Sequence, residues 1–233
     1  MMRAGKWLII AVIAVMAVGC VQTSGQQAEQ QPSDAAAERS SAIPEWPFES
    51  FKQKFSQPHL IDKEDVTLVT LRMNRQRRTP EIAAFLTASH LEGWFVLYAE
   101  ENGVYKEVYA KHEPVYGVQV HGAGDQMISF RSGVGGSGVQ KNNFHLLSYT
   151  QQGYKEVWSG LAYDLLANGP PPFHQTIGTI YTEDNTRKLY YQQTTYIYNE
   201  DISRISSTKQ LTHVYHYDEE KSIYTPLPET GRE

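Results

Sequence analysis

The sequence predicts a mainly β chain of antiparallel hairpins and meanders, with two short helices at the start of its folded part. Three observations carry this. Asn102-Gly103 separates two apolar runs, residues 94–98 and 105–109, and Asn-Gly between such runs is the strongest short hairpin signal because both turn positions need positive φ. Forty-nine residues after Tyr105-Lys106-Glu107-Val108-Tyr109 comes Tyr154-Lys155-Glu156-Val157-Trp158, again behind a turn, Gln152-Gly153. The last third then alternates apolar and polar side chains between turn residues, the period of half-buried strands.

The chain of 233 residues opens with a basic pair, Arg3 and Lys6, and an apolar run over residues 7–18. That run is shorter than the roughly 20 residues needed to cross a bilayer, and it suits the hydrophobic region of a secretory signal. Small residues follow, then the only cysteine: Ala17-Val18-Gly19-Cys20. This resembles the lipobox of bacterial lipoproteins, with Ala17 where that family favours Leu. The resemblance covers residues 1–20. It implies a signal peptide over residues 1–19, cleavage before Cys20, diacylation of its thiol, and attachment to the outer face of the cell membrane. An uncleaved anchor, or ordinary cleavage beside a bystander cysteine, are the alternatives.

Residues 20–45 are rich in Gln, Ser, Ala and Glu and almost free of large apolar side chains. Such a segment buries too little to offset its ordering entropy, and a disordered tether is expected. The β-rich extracytoplasmic domain then occupies residues 46–233. At about 190 residues it is long enough to bury roughly 70% of its unfolded surface as one domain. Loss of Arg3 and Lys6 with the leader takes the formal charge from −5 to −7. An acidic chain is a poor partner for nucleic acid or anionic lipid surfaces. With no second cysteine, packing alone must hold the fold.

Phe48, Phe51 and Phe55 fall on one helical face behind Pro47, which suits a first helical position. Residues 66–73 alternate and read as a strand. Arg72, Arg75, Arg77 and Arg78 follow, as a solvated turn or a seat for an anion. Residues 80–89 are expected to form the second helix, with Thr79 as N-cap and Glu81 in the first turn.

Between the two clear hairpins, residues 115–121 and 126–131 read as further strands, making about four strands per period of 50. This region, 94–160, is similar to the FG-GAP or VCBS-type β-propeller repeats of bacterial surface proteins. The resemblance implies a partial propeller-like array, or else an open twisted sheet with the helices on one face. Those families often carry an Asp-x-Asp-Gly calcium loop. It is missing from this sequence, and no calcium site follows. Residues 176–182, 188–198, 210–217 and 223–227 continue as an up-and-down meander, with a turn at Asp184-Asn185. Pro170-Pro171-Pro172 marks a connecting loop, and the tail from Pro228 is expected to fray.

No catalytic set emerges. Gly133-Val134-Gly135-Gly136-Ser137-Gly138 matches G-x-G-x-x-G as a string, but a strand rather than a helix follows, so no pyrophosphate site forms. Val139 also denies Ser137 a nucleophile elbow. His213 and His216 point to opposite faces of a strand, and no zinc-type ligand spacing occurs. Neither a metal nor an organic cofactor is expected.

Acids such as Glu100, Glu101, Asp62, Glu64 and Asp65 sit mostly at turns. Tyrosine is abundant in the last third: Tyr181, Tyr190, Tyr191, Tyr196, Tyr198, Tyr215, Tyr217 and Tyr224. These rings either line a surface for glycan or peptide or are ordinary strand residues. The expected function is a membrane-anchored, non-enzymatic binding or scaffold module with a cell-envelope polymer or protein as partner. The alternative is an envelope hydrolase with unidentified residues.

Overall fold

A computed structural model describes residues 45–183 and 187–227. The leader, Cys20, the tether up to residue 44, the Asp184-Asn185 turn and the tail from Pro228 lie outside the described residues. Residues from Pro44 onward form one compact unit.

One α-helix, α1 (Glu45–Lys52), is followed by two 3-10 turns and twelve strands. The strands are β1 (Thr67–Leu71), β2 (Glu81–Thr87), β3 (Gly93–Glu101), β4 (Val104–His112), β5 (Val115–His121) and β6 (Met127–Gly136). They continue with β7 (Val139–Thr150), β8 (Gly153–Leu166), β9 (His174–Glu183), β10 (Lys188–Tyr198), β11 (Ile205–Asp218) and β12 (Ile223–Pro226). Every neighbour in a sheet is the next strand in sequence, and every pairing is antiparallel. The meander breaks once, between β4 and β5, leaving a four-stranded sheet (β1–β4) and an eight-stranded sheet (β5–β12), with no closure into a barrel.

The two sheets face each other over the main core. Leu71, Ala83, Phe95 and Leu97 from the small sheet meet Ile128, Phe130 and Leu147 from the large one, and the Phe95 and Phe130 rings stack at 4.1 Å. On the small sheet's other face lies α1. Its Phe48 and Phe51, with Phe55 just beyond, pack on Ala84, Val96 and Tyr98, and each buried ring contributes on the order of 2 kcal/mol. Trp46 is fixed between Tyr105, stacked at 4.7 Å, and the edge of Tyr98.

The expected second helix over residues 80–89 is corrected: that segment is β2, in the middle of the small sheet. Ala83 and Ala84 are fully buried, one toward the large sheet and one toward α1. Their small size suits a strand covered on both faces, and this packing overrides helix propensity. Thr79 caps nothing there; its hydroxyl donates to the Glu100 carboxylate at 2.8 Å. Glu81 is buried and accepts from the backbone N–H of Met73 and Asn74 and from the Tyr154 hydroxyl.

The repeated hairpins form as expected, β3–β4 around Asn102-Gly103 (φ 56° and 82°) and β7–β8 ahead of Gly153 (φ 96°). They land in different sheets, the first at the margin of the small sheet and the second inside the large one.

The large sheet folds back on itself. Strands β8 and β9 pair only between Tyr163–Leu166 and His174–Ile177, at the end of β8 far from its turn at Gly153. Beyond that join, β10–β12 lie against the outer face of β6–β8. Leu146 and Trp158 there bury Leu189, Tyr191 and Tyr224, and Trp158 meets the Tyr191 and Tyr215 rings at 5.3 and 5.7 Å.

Candidate functional site

The fold-back of the large sheet brings four hairpin ends together. The tips of β5–β6 (122–125), β7–β8 (148–151) and β11–β12 (218–222), with Glu183 and Arg187 from the β9–β10 hairpin, surround a cleft of about 870 Å³. Its apolar walls are Met127, Tyr149, Tyr217 and Tyr224. Tyr217 and Tyr224 meet edge to face at 5.3 Å, and the Tyr224 hydroxyl reaches the Met127 sulfur at 3.8 Å. Tyr149 leans on Tyr154 at 5.0 Å. Tyr217, Tyr224 and Met127 therefore rest on the Trp158 core beneath, while Tyr149 is supported by Tyr154, which packs on the main core.

Three carboxylates and one guanidinium border the cleft: Asp125, Glu183, Glu219 and Arg187. Arg187 pairs with Glu219, and Asp125 pairs with Arg75 at 3.2 Å on the exposed rim. The Tyr190 hydroxyl donates to Glu183 at 3.3 Å.

A second polar group lies inside the sandwich. His145 is buried, its ring stacked on Phe130 at 4.8 Å, and its Nδ1 is 2.8 Å from the Glu156 carboxylate. The Tyr109 hydroxyl donates to the same carboxylate at 3.2 Å. Burial alone would raise the Glu156 carboxyl. The bond and charge of His145, with bonds from Ser159 and Tyr109, outweigh burial and hold it below its usual range. Burial first, then the Glu156 charge, pushes the Tyr109 phenol well up. Tyr154 is raised in the same way, by burial and then by its bond to Glu81. None of these side chains lines the cleft, and they act as interior bonds between the sheets.

The residues singled out in sequence are dispersed. Arg75 pairs with Asp125, and Arg77 donates to the Glu100 carbonyl and lies over the Tyr154 ring. The glycine run is strand and turn. Gly133 to Gly136 belong to β6, and Ser137-Gly138 (φ 50° and 82°) make the tight turn into β7. A Cβ at Gly133 would strike the Lys141 carbonyl, so the glycine serves close strand approach.

His213 lies beside Tyr191 and Tyr215, while His216 is exposed. Asp62 and Asp65 cap a 3-10 turn, and Glu101 pairs with Lys106. Among the described residues no three His, Cys, Asp or Glu side chains gather as metal ligands, and no helix is long and apolar enough to cross a membrane.

The tyrosines divide. Tyr191, Tyr215 and Tyr224 pack around Trp158, Tyr217 and Tyr224 wall the cleft, and Tyr181 stands 64% exposed. Tyr196 and Tyr198 lie on the outer half of β10, where the Tyr198 hydroxyl donates to Gln175. Tyr149 and Met127 were not anticipated, because only the fold-back brings them to the tyrosines of the last strands. No protein-family model, curated protein or solved structure matches this chain.

Proposed function

We propose that this chain is a lipid-anchored, extracytoplasmic binding module of the cell envelope, tethered by diacylation of Cys20, with the hairpin-tip cleft as its ligand seat. The observation that carries the ligand seat is the cleft itself, walled by Tyr149, Tyr217 and Tyr224 over an aromatic base. Its volume falls in the range of roughly 300–1,000 Å³ usual for ligand sites. Tyrosine offers a flat apolar face with a polar tip, the chemistry that stacks on sugar rings and holds extended peptide. With Arg75, which pairs with Asp125 at the rim, the border carries three carboxylates to two guanidinium groups, a formal charge of −1. This favours neutral or cationic polar ligands over phosphate-rich polymers. An envelope glycan of N-acetylated sugars fits both properties. The leader and Cys20 support placing the module outside the membrane, where such a polymer lies.

The test is calorimetric titration of the chain from residue 20 onward, with Cys20→Ser, against N-acetylglucosamine oligosaccharides and a soluble peptidoglycan digest. Binding should weaken at least tenfold in Tyr217→Ala. Absence of binding to both probes, or binding untouched by Tyr217→Ala, overturns the assignment of the cleft.

A further inference from the structure

The face of β9–β11 turned away from the Trp158 core is flat and open. The register fixes which side chains stand on it. Leu189 and Tyr191 turn inward to Trp158, so their neighbours on β10, Tyr190 and Gln192, turn outward. Tyr190 lies between Tyr181 on β9 and Val214 on β11, and Gln192 lies between Thr179 and Thr212. Burial follows the same alternation along β9. Thr176, Gly178 and Thr182 are buried, whereas Ile177, Thr179 and Tyr181 are exposed.

Strand β10 pairs with both neighbours without a bulge as far as Ile197. The face therefore stays regular over four rows of three, centred on Tyr190, Gln192, Thr194 and Tyr196. It runs about 20 Å along the strands and about 10 Å across them, and none of its side chains is buried.

No side chain in these rows is charged, although charged residues make up 20% of the whole chain. All but Ile177 and Val214 are Thr, Gln or Tyr. Charge returns at the hairpin end, where Glu183 stands opposite Lys188. Tyr181 is 64% exposed, and its ring leans on Tyr190 at 6.1 Å. Rings left in water amid open polar surface mark a binding site.

We propose that this face is a second docking surface for an uncharged sugar polymer, the choice of N-acetylated sugars resting on the reading of the cleft. Nucleic acid and anionic lipid require Lys or Arg, and these rows hold neither. A protein partner is gripped by large anchors at the centre of its patch, and the middle of this face holds Gln192 and Thr194. A sugar chain is narrow and uncharged. Its hydroxyl and amide groups meet Thr and Gln, and its ring faces stack on Tyr181 and Tyr190.

Glu183 joins this face to the cleft. It borders the cleft, and its carboxylate accepts from the Tyr190 hydroxyl at 3.3 Å. A polymer seated in the cleft continues over the β9–β10 tip onto the two tyrosines, so long chains bind better than short ones.

Calorimetric titration of residues 20–233 with Cys20→Ser tests this with the trisaccharide and hexasaccharide of N-acetylglucosamine. The hexasaccharide should bind at least tenfold more tightly. Tyr181→Ala removes a largely exposed ring, so the melting temperature should stay in place. It should abolish the gain for the hexasaccharide and leave trisaccharide binding unchanged.

Retention on insoluble chitin separates the two surfaces. Retention lost in Tyr181→Ala and untouched by Tyr217→Ala keeps this face and overturns the cleft. Trisaccharide binding that depends on Tyr217, with no gain for the hexasaccharide, keeps the cleft and overturns this face. A gain that persists in Tyr181→Ala overturns it equally, and absence of binding to all three probes overturns both.

Discussion

The Tyr109 hydroxyl donates to the Glu156 carboxylate across the space between the two sheets, at 3.2 Å, and the two residues belong to the two copies of one repeated run. Both copies carry the same irregularity. In β4, Val108 is the extra residue between Glu107 and Tyr109, which oppose Tyr98 and Leu97. In β8, Val157 is the extra residue between Glu156 and Trp158, which oppose Leu147 and Leu146. The five-residue run thus encodes a bulged strand twice, and the bulges re-aim side chains as such insertions do. One copy supplies the donor and the other the acceptor of a bond joining the sheets.

Removing that acceptor should cost stability. Glu156→Gln withdraws the charge that His145 and Tyr109 bond to, and a loss of about 1–2 kcal/mol is expected. The carboxyl is held below the usual glutamate range in the folded chain, by His145 above all. Its contribution is therefore fully present above that range and is lost as pH falls through the lower, folded value. Urea midpoints of the two proteins should differ at pH 7 and converge in acid, once the carboxyl is protonated in both states. A gap that persists there would show that the charge is not the cause.

Ala84→Leu tests the strand over Glu81–Thr87. A leucine there must enter the closed space under α1, and overpacking costs about 1–3 kcal/mol. On an exposed helix the same change would be nearly neutral. Thermal denaturation separates the two.

The Asn102-Gly103 turn makes a graded prediction. Nothing lies within 4 Å of a Cβ placed on Gly103, whose φ is 82°. Gly103→Ala therefore carries backbone strain alone, about 1 kcal/mol. Gly133→Ala adds a collision with β7 and should lower the melting temperature further. Equal shifts would contradict the close strand approach.

Cys20→Ser should release the protein to the medium or leave an unprocessed precursor, read by fractionation and intact mass. Unchanged size and membrane retention would count against acylation.

Deleting residues 24–43 should leave the melting temperature of the remainder unchanged, since residues from Pro44 onward form a unit of their own. A drop of several degrees would show that the deleted segment packs.

What could be read in the sequence was what local chemistry decides. Asn102-Gly103 requires positive φ and makes its hairpin, the Phe48 and Phe51 stripe needs an apolar seat, and the strands of the last third announce themselves by alternation. What could not be read depends on distant partners. Ala83 and Ala84 have the propensity of a helix, and only the layers on either side of β2 make them strand residues. The division of the meander is equally hidden. His112, the last residue of β4, stacks on Trp94 at 4.2 Å, an ordinary strand contact that gives no sign of the break after it. Tyr149 and Tyr224 share a wall because a sheet bends, and no short-range pattern reports that bend.

Because β8 and β9 are joined only over Tyr163–Leu166 and His174–Ile177, the two leaves of the large sheet share a short spine at the end away from the cleft. At the cleft end the leaves are therefore joined by side chains and not by backbone: Trp158 on Tyr191 and Tyr215, and Tyr224 on Met127.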